Sequence, residues 1–177
     1  MIIALGLIAG VALGFITYSV VLHQVPIRLM SLAERRLLTM RNNASNTFFH
    51  GRAPTAKARQ IVMPSPDLVY SSCVYDLGKG PLRMQGKLPP AGHYWSLSLY
   101  AHNTDNYFVL NDRELPDRRF DVTLHPPAAA RVGESKSDVK SPSLTGIALI
   151  RMIQRREDDL ALIQAAQQST TCQPASS

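Results

Sequence analysis

The chain has 177 residues, room for one domain and one anchor, with 19 basic and 13 acidic side chains and a net charge of +6. The basic residues either follow an apolar N-terminus or are scattered among acids. No Lys/Arg stripe is interleaved with aromatics, which argues against nucleic acid as a partner. No H-E-x-x-H, C-x-x-C, G-x-S-x-G or Walker-type spacing occurs, so the commonest metal, dithiol, nucleophile and phosphate chemistries have no signature here.

Residues 1–23 read as a transmembrane anchor. Ile2 to Leu22 carries no charged side chain over 21 residues, roughly 31 Å of helix against about 30 Å of bilayer hydrocarbon. A cleavable signal peptide is the rival reading. It wants a basic start, a shorter apolar core and a small-x-small cleavage site. No Lys or Arg precedes this core, and Thr17-Tyr18-Ser19 is a weak cleavage sequence. Gly6, Gly10 and Gly14 recur every fourth residue, which leaves a stripe about 12 Å long without β-carbons on one helix face. Such a stripe lets a second helix approach closely, whether a copy of this one or that of another membrane protein. Against this, glycine is common in membrane helices generally. The expected partners are thus the lipid bilayer and one further helix. Arg28, Arg35, Arg36 and Arg41 follow the anchor, and the positive-inside rule then puts residues 23–177 in the cytoplasm.

Residues 24–54 form a juxtamembrane helix and linker. Pro26 marks the end of the anchor. In 28–41 the residues Leu29, Leu32, Ala33, Leu37 and Met40 fall near helical spacing, with Arg28, Glu34, Arg35 and Arg41 opposite. This amphipathic helix continues the anchor, lies on the membrane surface, or packs on its own domain. Residues 42–59 show no clear period.

Residues 55–170 read as a mainly β domain. "LVYSSCVYDL" (68–77) is a strand, and "GKGP" after it is a hairpin turn rather than a phosphate loop, since Pro81 has no amide to donate. "LRMQGKL", "HYWSLSLY", "NYFVLND" and "RFDVTLH" follow as strands. Alternation places Trp95, Leu97 and Leu99 on one face, and Phe120, Val122 and Leu124 on one face of another strand. Short strands at this spacing predict an antiparallel β-sandwich, jelly-roll-like, spanning about 60–153. Residues 125–143 are polar and read as an exposed loop, "TGIALIRMI" (145–153) as a last strand, and 156–169 as a C-terminal helix. Glu157, Asp158 and Asp159 complement the dipole of that helix. Residues 171–177 read as a frayed tail, except near Cys172.

The densest polar stretch is 100–114, with His102, Asn103, Asp105, Asn106, Asn111, Asp112 and Arg113. One reading makes Asp105 or His102 a general base and Arg113 the holder of an anion, with Asp67 completing a ligand pocket. The other is local: Asn and Asp bond their own backbone in turns, and Asp112–Arg113 is an ion pair. A zinc site from His93, His102 and an acid lacks four placed ligands. No catalytic residue is assigned, and neither metal nor cofactor is expected. The two cysteines, Cys73 and Cys172, are either buried thiols or, in an oxidising compartment, a disulfide. Such a bond closes a loop of about 100 residues and stabilises by up to about 4–5 kcal/mol in the chain-entropy picture.

The segments "MPSPDLVYSSCVYDLGKGPL" and "GHYWSLSLYAHNTDNYFVLNDRE" resemble a bacterial family known as domain of unknown function 1254, here in a short, membrane-anchored form. The matching positions are Pro66, Asp67, Tyr70 and Ser71; Asp76, Leu77, Gly80 and Pro81; Tyr94, Trp95 and Ser96; and Asp105 and Asn106. Leu68 departs from the threonine common in longer relatives. The resemblance implies a β-rich, sandwich-like fold and brings no catalytic residues. Longer relatives continue into a second β-rich domain, and many carry export signals. That favours the periplasmic face of the inner membrane, against the arginine count. Two functions follow as expectations. One is a single-pass, membrane-anchored interaction module whose companion membrane protein supplies the second domain. The other is a small-molecule-binding protein or hydrolase using 100–114.

Overall fold

The computed structural model describes residues 2–40, 42–52, 65, 67–130, 132–133, 135, 137–156 and 158–175. Arg41, Pro66, Glu157 and the start of the β domain at 55–64 lie outside the described residues.

One helix, α1 (Ile2–Thr39), opens the chain. It runs through Pro26, so anchor and juxtamembrane segment are a single element and Pro26 does not end it. An internal proline costs about 3 kcal/mol through a lost amide bond and a ring clash. Beyond it, Met30 and Leu37 are buried, at roughly 1.5–3 kcal/mol each, which offsets that cost. This half of α1 packs on its own domain. The docked face also differs from the one the apolar spacing marks. Met30, Glu34 and Leu37, four and three residues apart, are buried, while Leu29, Leu32 and Met40 are exposed. Apolar residues occupy two neighbouring stripes here, and the partner waiting for Glu34 selects between them.

Among the described residues nine strands form two sheets. The first has the order β1 (Phe49–His50), β2 (Leu68–Asp76), β8 (Thr145–Ile153), β4 (Trp95–Ala101) and β5 (Asn106–Asn111), all antiparallel. The second has the order β7 (Asp138–Lys140), β6 (Arg119–His125), β3 (Leu82–Lys87) and β9 (Thr171–Pro174). In it β6 and β7 run parallel and the other pairs antiparallel. Among the described strands, five of the eight successive connections cross between sheets, which is the jelly-roll-like weave. The sandwich is therefore antiparallel apart from one short pair.

Strand parity holds throughout the core. Trp95, Leu97, Leu99, Phe120, Val122 and Leu124 are all buried, none more than 2% exposed. Trp95 from one sheet meets Phe120 from the other with ring centroids 5.0 Å apart, within the range for favourable aromatic pairs. In β8, Gly146, Ala148, Ile150 and Met152 alternate inward against partly exposed neighbours. Helix α2 (Asp159–Gln168) plugs one end of the sandwich. Its Gln167 Nε2 donates to Ser71 Oγ in one sheet at 3.2 Å, and Ser169 Oγ just beyond it accepts from Lys87 N in the other at 2.9 Å. Asp159 accepts from the amides of Arg155 and Arg156 and from His93 Nε2, and these bonds, His93 foremost, hold its carboxyl below the usual range.

Three local expectations change. Residues 77–81 are not a hairpin turn, because β2 and β3 lie in different sheets. The segment arches between the sheets, tied by Leu77 N to Leu144 O at 2.9 Å and Gly80 N to Leu77 O at 3.1 Å. The polar stretch 125–143 contains strand β7. Thr171–Pro174 is strand β9 rather than a frayed tail, because the edge of β3 offers it a full set of backbone partners.

Candidate functional site

The sequence-proximal candidates do not converge. The β4–β5 hairpin runs the length of the first sheet, so its turn and its open end lie far apart. Ala101 pairs with Gly146 at the start of β8, and Trp95 with Met152 near its end. His102 and Asp105 follow Ala101 at the first end. Arg113 follows Asn111, which pairs with Ser96 at the other. Asp67 lies beside Arg113's end, since Leu68 pairs with Ile153 and Gln154 N donates to Asp67 O at 2.8 Å. About 25 Å of strand separates the two pairs.

Several polar residues of 100–114 are also engaged locally. Asn103 and Asp105 build the hairpin turn: Asp105 N donates to Asn103 Oδ1 at 3.3 Å, and Asn103 Nδ2 to Asp105 Oδ2 at 2.6 Å. Asn111 caps a short 3-10 turn, Asp112–Glu114, by accepting from Arg113 N at 3.0 Å, and Glu114 Oε2 accepts from Asn111 N at 3.2 Å. Asp112 does not pair with Arg113; its Oδ1 faces Trp95 N at 3.4 Å. The turn chemistry expected of Asn and Asp accounts for this stretch.

What the structure does assemble is a polar latch between α1 and the sandwich. His102 Nδ1 lies 3.2 Å from Glu34 Oε1 and 3.1 Å from Thr145 Oγ1, and its Nε2 lies 3.3 Å from Ser31 Oγ. Its backbone amide donates to Ser143 Oγ at 2.9 Å. Glu34 is mostly buried, so its carboxylate depends on this imidazole. Sequence reading missed Glu34, which it placed on the outward face. The available signal was its spacing from Met30 and Leu37. Replacing His102 with alanine leaves a buried carboxylate short of a donor, at about 1–3 kcal/mol. The expected result is faster hydrogen exchange across residues 30–38 in the full chain in micelles, with exchange in β8 unchanged. Equal protection in both proteins would mean that apolar packing alone holds the helix.

A second buried polar cluster lies near the same end of the sandwich. Tyr75 OH donates to Tyr100 O at 3.0 Å and accepts from Tyr107 OH at 3.1 Å, with Ser141 Oγ at 3.3 Å. Burial, with Tyr75 beside it, pushes the Tyr107 phenol well above the usual tyrosine range. The inward parity of β2, shared by Cys73 and Tyr75, was the signal for this cluster. Its groups satisfy one another and leave none directed at a ligand.

A shallow groove of about 380 Å³ lies between β5 and β7, lined by Phe108, Val109, Leu110 and Val139. The charged groups at its rim are spent elsewhere. Asp138 meets His125 at 3.1 Å, Lys140 donates to Ala129 O at 3.1 Å, and Glu114 accepts from Asn111. Among the described residues no group of three or more His, Cys, Asp or Glu side chains is placed to hold a metal.

The described residues thus form a two-sheet sandwich carried on one long helix and latched to it through Glu34 and His102. Residues 45–174 match the family described as protein of unknown function, DUF1254, and the chain belongs to that family. The same fold occurs in the VPA0106 protein of Vibrio parahaemolyticus, at a TM-score of 0.67 and 10% identity, over 86% of this chain and 36% of that one. An uncharacterized protein from Burkholderia cenocepacia matches at a TM-score of 0.46 and 21% identity, over 73% of this chain and 37% of that one. The chain therefore spans little more than a third of the length of these solved proteins. No curated protein matches it.

Proposed function

We propose that the protein is a single-pass anchored interaction module of the inner membrane. Its β domain stands on the periplasmic side, and its partner is a companion membrane protein that brings a second β-rich domain. One observation carries this reading: the two halves of α1 have opposite environments. The helix is long and apolar enough to cross a membrane. Its described side chains from Ile3 to Tyr18 are exposed, and a β-carbon at Gly6, Gly10 or Gly14 would meet nothing within 4 Å. Its other half is latched to the sandwich through Glu34 and His102. A helix bound in this way passes any constraint from a partner in the bilayer directly to the domain. The VPA0106 likeness adds that the same sandwich, in that protein, is one part of a longer chain.

Small residues gain where two helices meet, because close approach gives dispersion contacts that lipid tails do not match. Gly10 is the middle of the stripe. In a two-helix membrane reporter, Gly10→Ile is expected to abolish association of this helix with its own copy or with the companion's helix. An unchanged signal in both pairings, or no signal from either wild-type pair, would falsify the helix interface.

A further inference from the structure

We propose that Cys73 and Cys172 are joined by a disulfide that stitches the two sheets together, and that the β domain therefore matures in an oxidising compartment. The proposal does not depend on a companion protein. Cys73 lies in β2 of the first sheet, opposite Ala148, and Cys172 in β9 of the second, opposite Met84. The two strands face each other across the core, and the sulfur atoms stand 2.8 Å apart. Both side chains are buried, in a cluster that includes Tyr75, Met84, Ala148 and Ile163. They are the only cysteines in the chain, so an intrachain disulfide can join only these two.

The geometry selects between the two readings left open by the sequence. Residues 99 apart in the chain come within side-chain reach on opposite layers, which a disulfide requires and which thiol burial alone does not. β9 is short and sits at a sheet edge after α2, so without a cross-link it is held by four residues of pairing with β3. A bond at its second residue fastens the C-terminal end of the domain to β2. In the reaction two thiols lose two protons and two electrons and one S–S bond forms. The electrons and protons reduce the disulfide of a periplasmic dithiol oxidase to two thiols. Such bonds persist outside the cytosol and are rare within it, so the proposal opposes the location that the arginine count indicates.

The test is made on the full chain in native membranes. Thiols are trapped with acid and then N-ethylmaleimide in denaturant, so that burial does not shield them, and the protein is weighed intact. The expected result is no maleimide on the untreated chain and two after reduction. Two maleimides before reduction would overturn the proposal. One maleimide, or a dimer on a non-reducing gel, would equally exclude the intrachain bond. A bond that forms only when the purified protein meets oxidised glutathione, and is absent from membranes, also overturns it. In a host lacking the dithiol oxidase, the thiol form is expected to rise several-fold. An unchanged fraction would remove the oxidising compartment from the account.

Discussion

Replacing Gly146 with valine is expected to unfold the β domain or leave it barely folded. Gly146 lies in β8 between β2 and β4, opposite Tyr75 on one side and Ala101 on the other. A β-carbon there would overlap the backbone oxygen of Tyr100 and the hydroxyl of Tyr75. The first is part of a central strand and cannot move without breaking the sheet. The second is held by hydrogen bonds to Tyr100 O, Tyr107 and Ser141. Glycine in a strand often marks such a close approach. Overpacking a core costs about 1–3 kcal/mol, and an orphaned buried hydroxyl or carbonyl adds about 1–3 kcal/mol. Together these come to about 2–6 kcal/mol, which reaches the stability of a marginal domain at the low end of about 5–15 kcal/mol. Gly146→Ala is expected to lower the urea midpoint less than valine does. Adding Tyr75→Phe to it should recover only part of the loss, because Tyr100 O remains. A midpoint for Gly146→Val within error of wild type would show that β4 yields where the packing says it does not.

Trp95→Ala is expected to cost about 3–5 kcal/mol, the usual range for emptying a large aromatic site. Trp95 is fully buried and bridges the two sheets through Phe120. It also carries the chain's only indole, so unfolding of the variant must be followed by far-ultraviolet circular dichroism. Trp95→Phe keeps an aromatic partner for Phe120 and is expected to lose distinctly less. Equal losses in the two variants would place the energy in the indole N–H or its outer edge rather than in the aromatic stack. Val109→Ala, on the exposed face of edge strand β5, is the control and should fall within about 0.5 kcal/mol of wild type.

How much of this was legible beforehand depends on range. The inward faces of β4 and β6 were readable because alternation is a property of the strand itself: any sheet that accepts "WSLSL" or "RFDVTL" must take the same parity or expose all three apolar residues. The glycine stripe in α1 is equally local. By contrast, the stretch 100–114 reads as a site only where closeness in sequence stands for closeness in space. A hairpin separates its ends by the length of a strand, and Asp67 and Arg113 fall at one end with His102 and Asp105 at the other.

By itself, then, the sequence determined the apolar helix, the faces of the strands, the β-rich class and the turn chemistry of Asn103, Asp105 and Asn111. Each of these follows from residues within a few positions of one another. Only the tertiary structure decided which sheet each strand joins, why 77–81 arches instead of turning back, and why Thr171–Pro174 pairs with β3. It also decided that Glu34 faces His102 across 68 residues, and that Cys73 meets Cys172 across 99. Such contacts depend on how the layers stack, and stacking is set by the sum of all the faces that must be buried at once.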